Sequence, residues 1–430
     1  MNQTIRSRIE QIKRGAIPDG YKKTKVGIVP KEWTEHTLSE FFDFKNGLNK
    51  EKEAFGKGTP IVNYTDVWGK RGLLKENIKG KVLLPKNEID LYKVEEGDVF
   101  FTRTSETIEE IGLSSVLLEP INDCVFSGFV LRARPKKAGI VKEYNIYCYS
   151  SAIMRHEITR KSSMTTRALT NGTLLGEVNI NLPNQKEQEK IAEILQEQDR
   201  LIELKEKLIE EKKKQKQYLM EVLLTGKVRL PGFTDEWVVI PLGQVSDMSS
   251  GGTPLTSKQE YFGNDHIWVS IADMSSSGKY IFDSKIKLSN LGLNNCSARL
   301  FKKGTVLFAM YASIGECVIA GEECCTSQAI LGIVPNTEKL NNEFLYYSLI
   351  QKKTSIIAMQ QASSQPNLNK GLVQSIQIEL PPRLEQIAIV NVLSKADDEL
   401  DLLQKELEEQ KRKKQSLMQL LLTGIVRVKA

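Results

Sequence analysis

A chain of 430 residues, 40% hydrophobic and 27% charged, has room for two or three domains with sizeable cores. Its 60 basic and 54 acidic residues leave a formal charge of +6, which permits a nucleic-acid partner without demanding one. No run approaches the roughly 18 apolar residues of a membrane span, and the start MNQTIRSRIEQIKRG lacks the apolar stretch of a secretory signal.

Six cysteines (124, 148, 296, 317, 324, 325) show no CxxC pair, as expected of reduced, mostly buried residues in a cytoplasmic protein. For the adjacent Cys324 and Cys325, core packing is expected over redox chemistry.

In chain order the pattern predicts an arm (1–27), a globular unit (28–183), a long helix (184–226), a second globular unit (227–381) and a second long helix (382–430). The arm, IRSRIEQIKRGAIPDGYKKTKVGIVPKEW, resembles the stretch that leaves the first helix, LMEVLLTGKVRLPGFTDEW. It is therefore expected to pack near the end of the second helix.

The globular units share a skeleton. Trp33 and Leu38 answer Trp237 and Leu242, GDVFFT (97–102) answers GTVLFA (304–309), SGFVLRARP (127–135) answers SQAILGIVP (327–335), and KEYNIY (142–147) answers NEFLYY (342–347). Apolar positions agree while polar ones do not: Arg103 stands against Met310, Arg132 against Gly332, Arg134 against Val334. A common core with different surfaces follows.

The helices repeat more closely. Residues 182–230 return without a gap at 380–428, with about 22 of roughly 49 positions identical. Pro183, Asn184 as N-cap and Glu187 in capping-box position start the first helix, and Gly226 stops it. Pro382 and Gly424 do the same for the second. Each helix of about 37 residues spans roughly 55 Å, so the length of a target read at both ends should follow helix length. Leu195, Ile202 and Ile209 recur every seven residues, as do Leu393, Leu400 and Leu407, with Ala396 and Leu403 between them. The first copy instead offers Gln198, Lys205 and Lys212, an imperfect seam that suits antiparallel pairing of the two helices. The last turns, YLMEVLL and SLMQLLL, are apolar on most sides and must be covered by the globular units or another protein. Leu219, Leu223, Leu224, Leu417, Leu421 and Leu422 are the candidate partner-binding residues.

Signals for bond-making chemistry are weak. GKGT (56–59) lacks the upstream glycine and the following hydroxyl of a P-loop. His36, His156 and His266 lie far apart in unlike contexts, against a metal site or triad. Carboxylates alternate with lysine on the helices as solvated ion-pair faces do, and the clusters KKKQK (212–216) and KRKKQ (411–415) read the same way. DNA contact is more plausible. Thr102, Arg103, Thr104 and Ser105 set a guanidinium among hydroxyls just past a buried strand, and Arg155, Arg160, Lys161, Thr165, Thr166 and Arg167 follow in a segment almost free of acid. In the second unit the candidates are Ser249, Thr253, Lys258, Tyr261, Trp268, Tyr311, Ser363, Ser364, Gln365, Asn367 and Asn369. The competing expectation for these loops is a polar surface with core aromatics.

LPNQKEQEKI and LPPRLEQIAI, each followed by a helix ending in LLTG-x-VR, together with GIVPKEW, GDVFFTRTSET, SGGTP and QPNLN before IQIELPP, resemble the specificity subunit of type I restriction-modification systems. The resemblance covers nearly the whole chain. It implies two α/β (α+β) target recognition domains joined by two long antiparallel helices in a pseudo-two-fold repeat. It further implies that each domain reads one half of a bipartite, asymmetric site in double-stranded DNA, and that two methyltransferase subunits dock on the helices. The chain itself would be non-catalytic and bind no cofactor or metal, with S-adenosylmethionine, ATP and Mg2+ belonging to the modification and restriction subunits. TTRALTNGTLLGEVNINLP departs from the family pattern that SSQPNLNKGLVQSIQIELPP keeps. A self-contained DNA methyltransferase or nuclease, and a coiled-coil scaffold with protein-binding ends, are the alternatives.

Overall fold

Both copies of the LP-x-x-x-EQ motif start a helix of 39 residues, Gln185–Leu223 and Arg383–Leu421, in the computed structural model, which describes residues 3–362 and 367–428. Asn184 Oδ1 accepts from Glu187 N at 2.9 Å, the expected cap. The Glu187 carboxylate does not return to the cap backbone; it is taken by Arg427 and Trp33, described below. Gly226 and Gly424 follow the helices with φ of +68° and +69°, a left-handed turn that a side chain would strain. A Cβ on Gly424 would also meet Pro30 at 2.5 Å.

The chain divides into two compact units, Met1–Lys205 with Glu406–Ala430, and Glu206–Lys405. In unit 1 a five-stranded sheet has the order Phe42–Asn46, Val130–Pro135, Val99–Thr102, Ser114–Leu117, Gly72–Leu73, antiparallel except for the last pair. Every residue of the central strand Val99–Thr102 is buried, as expected of a strand flanked on both edges and both faces. A three-stranded sheet pairs Phe55–Val62 with Val125–Phe126 and Lys81–Val82, and Thr34–Thr37 pairs with Asn179–Leu182. The GKGT segment lies in Phe55–Val62 as a bulge, where a Cβ on Gly58 would meet Val82 O at 2.7 Å.

Unit 2 repeats this plan. Its five strands run in the order Ser246–Ser250, Ile330–Pro335, Val306–Ala309, Cys317–Ala320, Tyr280–Ile281, again with only the last pair parallel. Phe262–Val269 carries the equivalent bulge, and Val238–Pro241 pairs with Gln377–Leu380.

Within each unit, segments of the two long helices run antiparallel. In unit 1, Gln198 Nε2 donates to Gln410 Oε1 (3.0 Å), Lys205 pairs with Glu406 (2.7 Å) and Lys414 with Asp199. In unit 2, Lys212 pairs with Glu399 (2.7 Å) and Lys216 with Asp397. The polar residues that spoil the heptad in the first copy are thus hydrogen-bonded across the pair. Of the lysine clusters, Lys213 and Lys214 pair within their own helix with Glu210 and Glu211, and Lys411 with Glu408.

The apolar helix ends complete the globular cores. Leu223 and Leu224 lie in the main core of unit 2, with Leu219 packed against it, and Leu421 and Leu422 lie in that of unit 1, with Leu417 against it. This corrects the assignment of these six leucines to a partner: each covers its own unit's core, leaving little surface for another protein. All six cysteines are unpaired, and burial pushes the Cys324 and Cys325 thiols up to about 12, so the adjacent pair is packing, not redox machinery.

Candidate nucleic-acid interface

The exposed candidate residues of each unit must be held by something fixed, and the EQ motif supplies it. In unit 1 Arg427 donates through Nε and Nη2 to Glu187 (2.6 and 2.8 Å), and Trp33 Nε1 donates to the same carboxylate at 3.3 Å. In unit 2 Arg229 grips Glu385 in the same two-pronged way, both at 2.7 Å, and Trp237 Nε1 donates at 3.0 Å. Gln188 accepts from Val141 N and donates to Gly139 O and Pro183 O; Gln386 does the same with Asn341 N, Lys339 O and Pro381 O. Tyr147 OH donates to Asp199 (2.7 Å) and Tyr347 OH to Asp397 (2.5 Å). Each motif therefore ties a helix start to the strands and helices of its own domain. In the arm, Tyr21 OH donates to Gly424 O at 2.6 Å and Arg8 Nη1 to Ile425 O.

On this base unit 1 brings most of its candidates together. Thr104–Ser105 pairs with Ala168–Leu169, which pairs in turn with Ser163–Met164. The hairpin tip holds Thr165, Thr166 and Arg167, all exposed, and Thr165 N donates to Arg167 O at 3.1 Å to close it. Thr170 N donates to Arg103 O, and Arg103 Nη1 reaches Gly128 O at 3.4 Å. Among the described residues the Arg167 side chain has no hydrogen bond or ion pair, which leaves its fork available for an external acceptor.

Other candidates in unit 1 are occupied. Thr102 is fully buried and its hydroxyl donates to Glu110 O. Arg155 donates to the carbonyls of Glu109, Ile111 and Gly112, and burial pushes its guanidinium below the usual range. Arg160 holds Glu157 at 2.6 Å and Lys161 holds Glu177 at 2.9 Å. Arg155 and Lys161 thus fasten the helix Ala152–Lys161 to its neighbours, while Arg160 pairs within that helix and stays half exposed.

In unit 2 the aromatic candidates turn inward. Trp268 is buried and its Nε1 donates to Gly252 O at 3.0 Å; Tyr261 is buried beneath Lys258, whose Nζ lies 5.2 Å from the ring centroid. The SGGTP segment is a tight seam, with no room for a Cβ at Gly251 or Gly252. Tyr311 packs partly buried against the main core, and Ser249 is half-buried in its strand. Thr253, Lys258 and Asn367 are exposed, and Asn369 caps Lys370–Gln374 by accepting from Leu372 N. Ser363, Ser364 and Gln365 lie outside the described residues.

Sequence reasoning missed Trp68 and Phe129, which are 48% and 63% exposed beside the Arg167 hairpin. The available signal was the mismatch between Phe129 and Ala329 in two otherwise parallel segments. Each unit also has a cleft between its sheet and its helix segments. That of unit 1, about 570 Å³, is lined by Lys70, Arg71, Arg155 and Lys414 with Asp199; that of unit 2, about 510 Å³, sets Lys216, Lys279 and Lys353 against Glu316, Asp397 and Asp401. Burial, with Arg71 nearby, lowers the Lys414 ammonium although Asp199 pulls the other way.

The profile of the family described as type I restriction modification DNA specificity domain matches residues 30–213 and again 234–412. A Methanocaldococcus jannaschii protein described as the MjaX specificity subunit of a type I restriction enzyme is 27% identical over 96% of this chain and 97% of its own length. A second protein of that organism, the MjaIX specificity subunit, is 30% identical over 38% of each chain. The crystal structure of the S subunit from M. genitalium covers 90% of this chain and 96% of its own with a TM-score of 0.54 at 17% identity. That of the HsdS subunit from Thermoanaerobacter tengcongensis gives 0.52 at 20% identity, covering 93% of this chain and 98% of its own. At these identities the structures speak for the fold.

Proposed function

Because the chain belongs to the type I restriction-modification DNA specificity family, we propose that each unit reads one half of a bipartite, asymmetric DNA site while the helices carry the modification subunits. One observation carries the reading: two domains whose five-stranded sheets share one strand order, on matching helix anchors, bear unlike exposed side chains. A doubled scaffold with divergent surfaces suits two different half-sites, each read by contacts to base edges. In unit 1 those contacts fall to Arg167, Thr165, Thr166, Thr104 and Ser105. In unit 2 they fall to Thr253, Lys258, Asn367 and Asn369.

For the partners, the exposed leucines of the helices replace the buried ones. Leu204 of unit 1 and Leu402 of unit 2 occupy equivalent repeat positions and are 55% and 58% exposed. Two like docking points suit two copies of one modification subunit. That partner would supply the S-adenosylmethionine chemistry, and restriction subunits the ATP- and Mg2+-dependent steps. Among the described residues no group of His, Cys, Asp and Glu could hold a metal ion, and no helix is long and apolar enough to cross a membrane.

Exchanging residues 28–180 for those of another family member and sequencing the methylome tests the division of labour. One half of the methylated motif should change and the other stay. A change in both halves would sink the proposal. The isolated chain, given DNA and labelled S-adenosylmethionine, should transfer no label.

A further inference from the structure

Beside the Arg167 hairpin, unit 1 has an open hollow of about 550 Å³ whose lining includes three aromatic rings, Tyr64, Trp68 and Phe129, together with Arg167 and the carboxylates of Glu106 and Glu110. The elements that present the rings are fixed. Asn63 N donates to Asp66 Oδ2 at 2.8 Å, capping the short helix Tyr64–Val67 that leads into Trp68. Arg103 N donates to Phe129 O at 3.2 Å, and Ser105 Oγ to Glu110 Oε2 at 3.3 Å. Large aromatic faces are normally hidden, yet here two stand in water on one concavity.

The chemistry narrows the occupant. Two carboxylates repel a phosphate, and the edge of a stacked base pair is too flat to fill a concavity. A single base drawn from the stack offers flat faces to the rings and an exocyclic amine to a carboxylate. Resting on the DNA-reading function above, we infer that this cavity takes up one base displaced from the duplex, one that carries an exocyclic amine: adenine, cytosine or guanine. Trp68 and Phe129 stack on it, and Glu106 or Glu110 accepts from its amino group. Unit 2 has Ala329 in place of Phe129 and a run of serines, Ser275 to Ser277, where Trp68 stands. The site thus belongs to unit 1.

Mismatch scanning tests this with the full chain assembled with its modification subunits, on duplexes carrying the motif defined by methylome sequencing. A mismatch that keeps the amino base but removes its pairing lowers the cost of displacing it. At one position of the unit 1 half-site binding should therefore tighten several-fold. At that position the matching analogue without the amine (2-pyrimidinone, purine or hypoxanthine) should weaken it. The double variant Trp68→Ala, Phe129→Ala should lose the gain and about tenfold of affinity, while Trp68→Phe, Phe129→Tyr keeps most of both. A wild-type scan in which no position tightens overturns the cavity's role, as does a gain that survives in the alanine variant. An assembly without any sequence preference would fell the DNA-reading function itself; a sequence-specific one without a tightening mismatch fells only the cavity.

Discussion

Phe129 and Ala329 stand at the same point of the same turn, one ring exposed in unit 1 and one methyl in unit 2. The clefts beside the helices differ likewise: four basic side chains with one carboxylate in unit 1, three against three in unit 2. Behind these surfaces almost nothing changes. Glu187 and Glu385, Gln188 and Gln386, Trp33 and Trp237, Tyr147 and Tyr347 make the same bonds in each unit. The lesson is a separation of tasks, with buried polar anchors fixing where a domain sits on its helix and outward side chains left to vary.

Four measurements would break or sharpen that comparison. The largest effect is expected from the helix ends: Leu421→Ala should destabilise unit 1, and Leu223→Ala unit 2, each by about 3–4 kcal/mol through lost burial and a residual cavity. Hydrogen exchange followed by mass spectrometry should place each loss in the mutated unit; equal losses in both would break the picture of independent cores. Arg427→Met comes next. It strands the buried Glu187 carboxylate and should cost unit 1 about 2–3 kcal/mol, less than a fully buried pair because the arginine is partly exposed. A stability change below 1 kcal/mol, read by urea unfolding, would show the anchor to be ornamental.

Arg167→Ala should weaken binding by about 1–3 kcal/mol and relax one position of the unit 1 half-site only. A uniform loss across all sequences would make it a phosphate contact instead. The smallest effect concerns acid. The Thr37 N–H and the His36 ring hold the Glu40 carboxyl down at about 2, while unit 2 has Gln244 at that place. Since the folded pKa lies below the unfolded one, Glu40 stabilises unit 1 above about pH 4.5 and loses that contribution as pH falls toward 2. Glu40→Gln should flatten this part of the acid profile by a few tenths of a kcal/mol, given the group's exposure.

Much of this architecture could be read from the chain. The doubled helix motif with its glycine stops placed both helices to within a few residues, because cap and stop signals are local. The antiparallel pairing followed from where polar residues interrupt the seam. The surface was harder. Trp268 and Tyr261 looked like contact residues because glycine, serine and lysine surround them, yet both rings are buried, and Gly251 and Gly252 are small because Thr326, Ser297 and Ala298 pack directly against them. Arg155 and Lys161 looked free in a segment poor in acid, but their acceptors, three backbone carbonyls and Glu177, come from the fold, while Arg160 pairs with Glu157 one turn earlier in its own helix. The terminal leucines resembled a docking stripe until the globular cores closed around them.

Unit 1 is not contiguous in sequence: Met418, Leu421, Leu422 and Arg427 join a core whose other members precede Lys205. During translation the whole of unit 2 emerges before that closing segment. The domain begun earliest must therefore wait with an uncovered apolar face and a lone buried-to-be Glu187 until the closing segment leaves the ribosome. Nascent unit 1 should consequently be the part of this protein that leans on chaperones, and nicking before Glu406 should unravel the amino-terminal domain while sparing the central one.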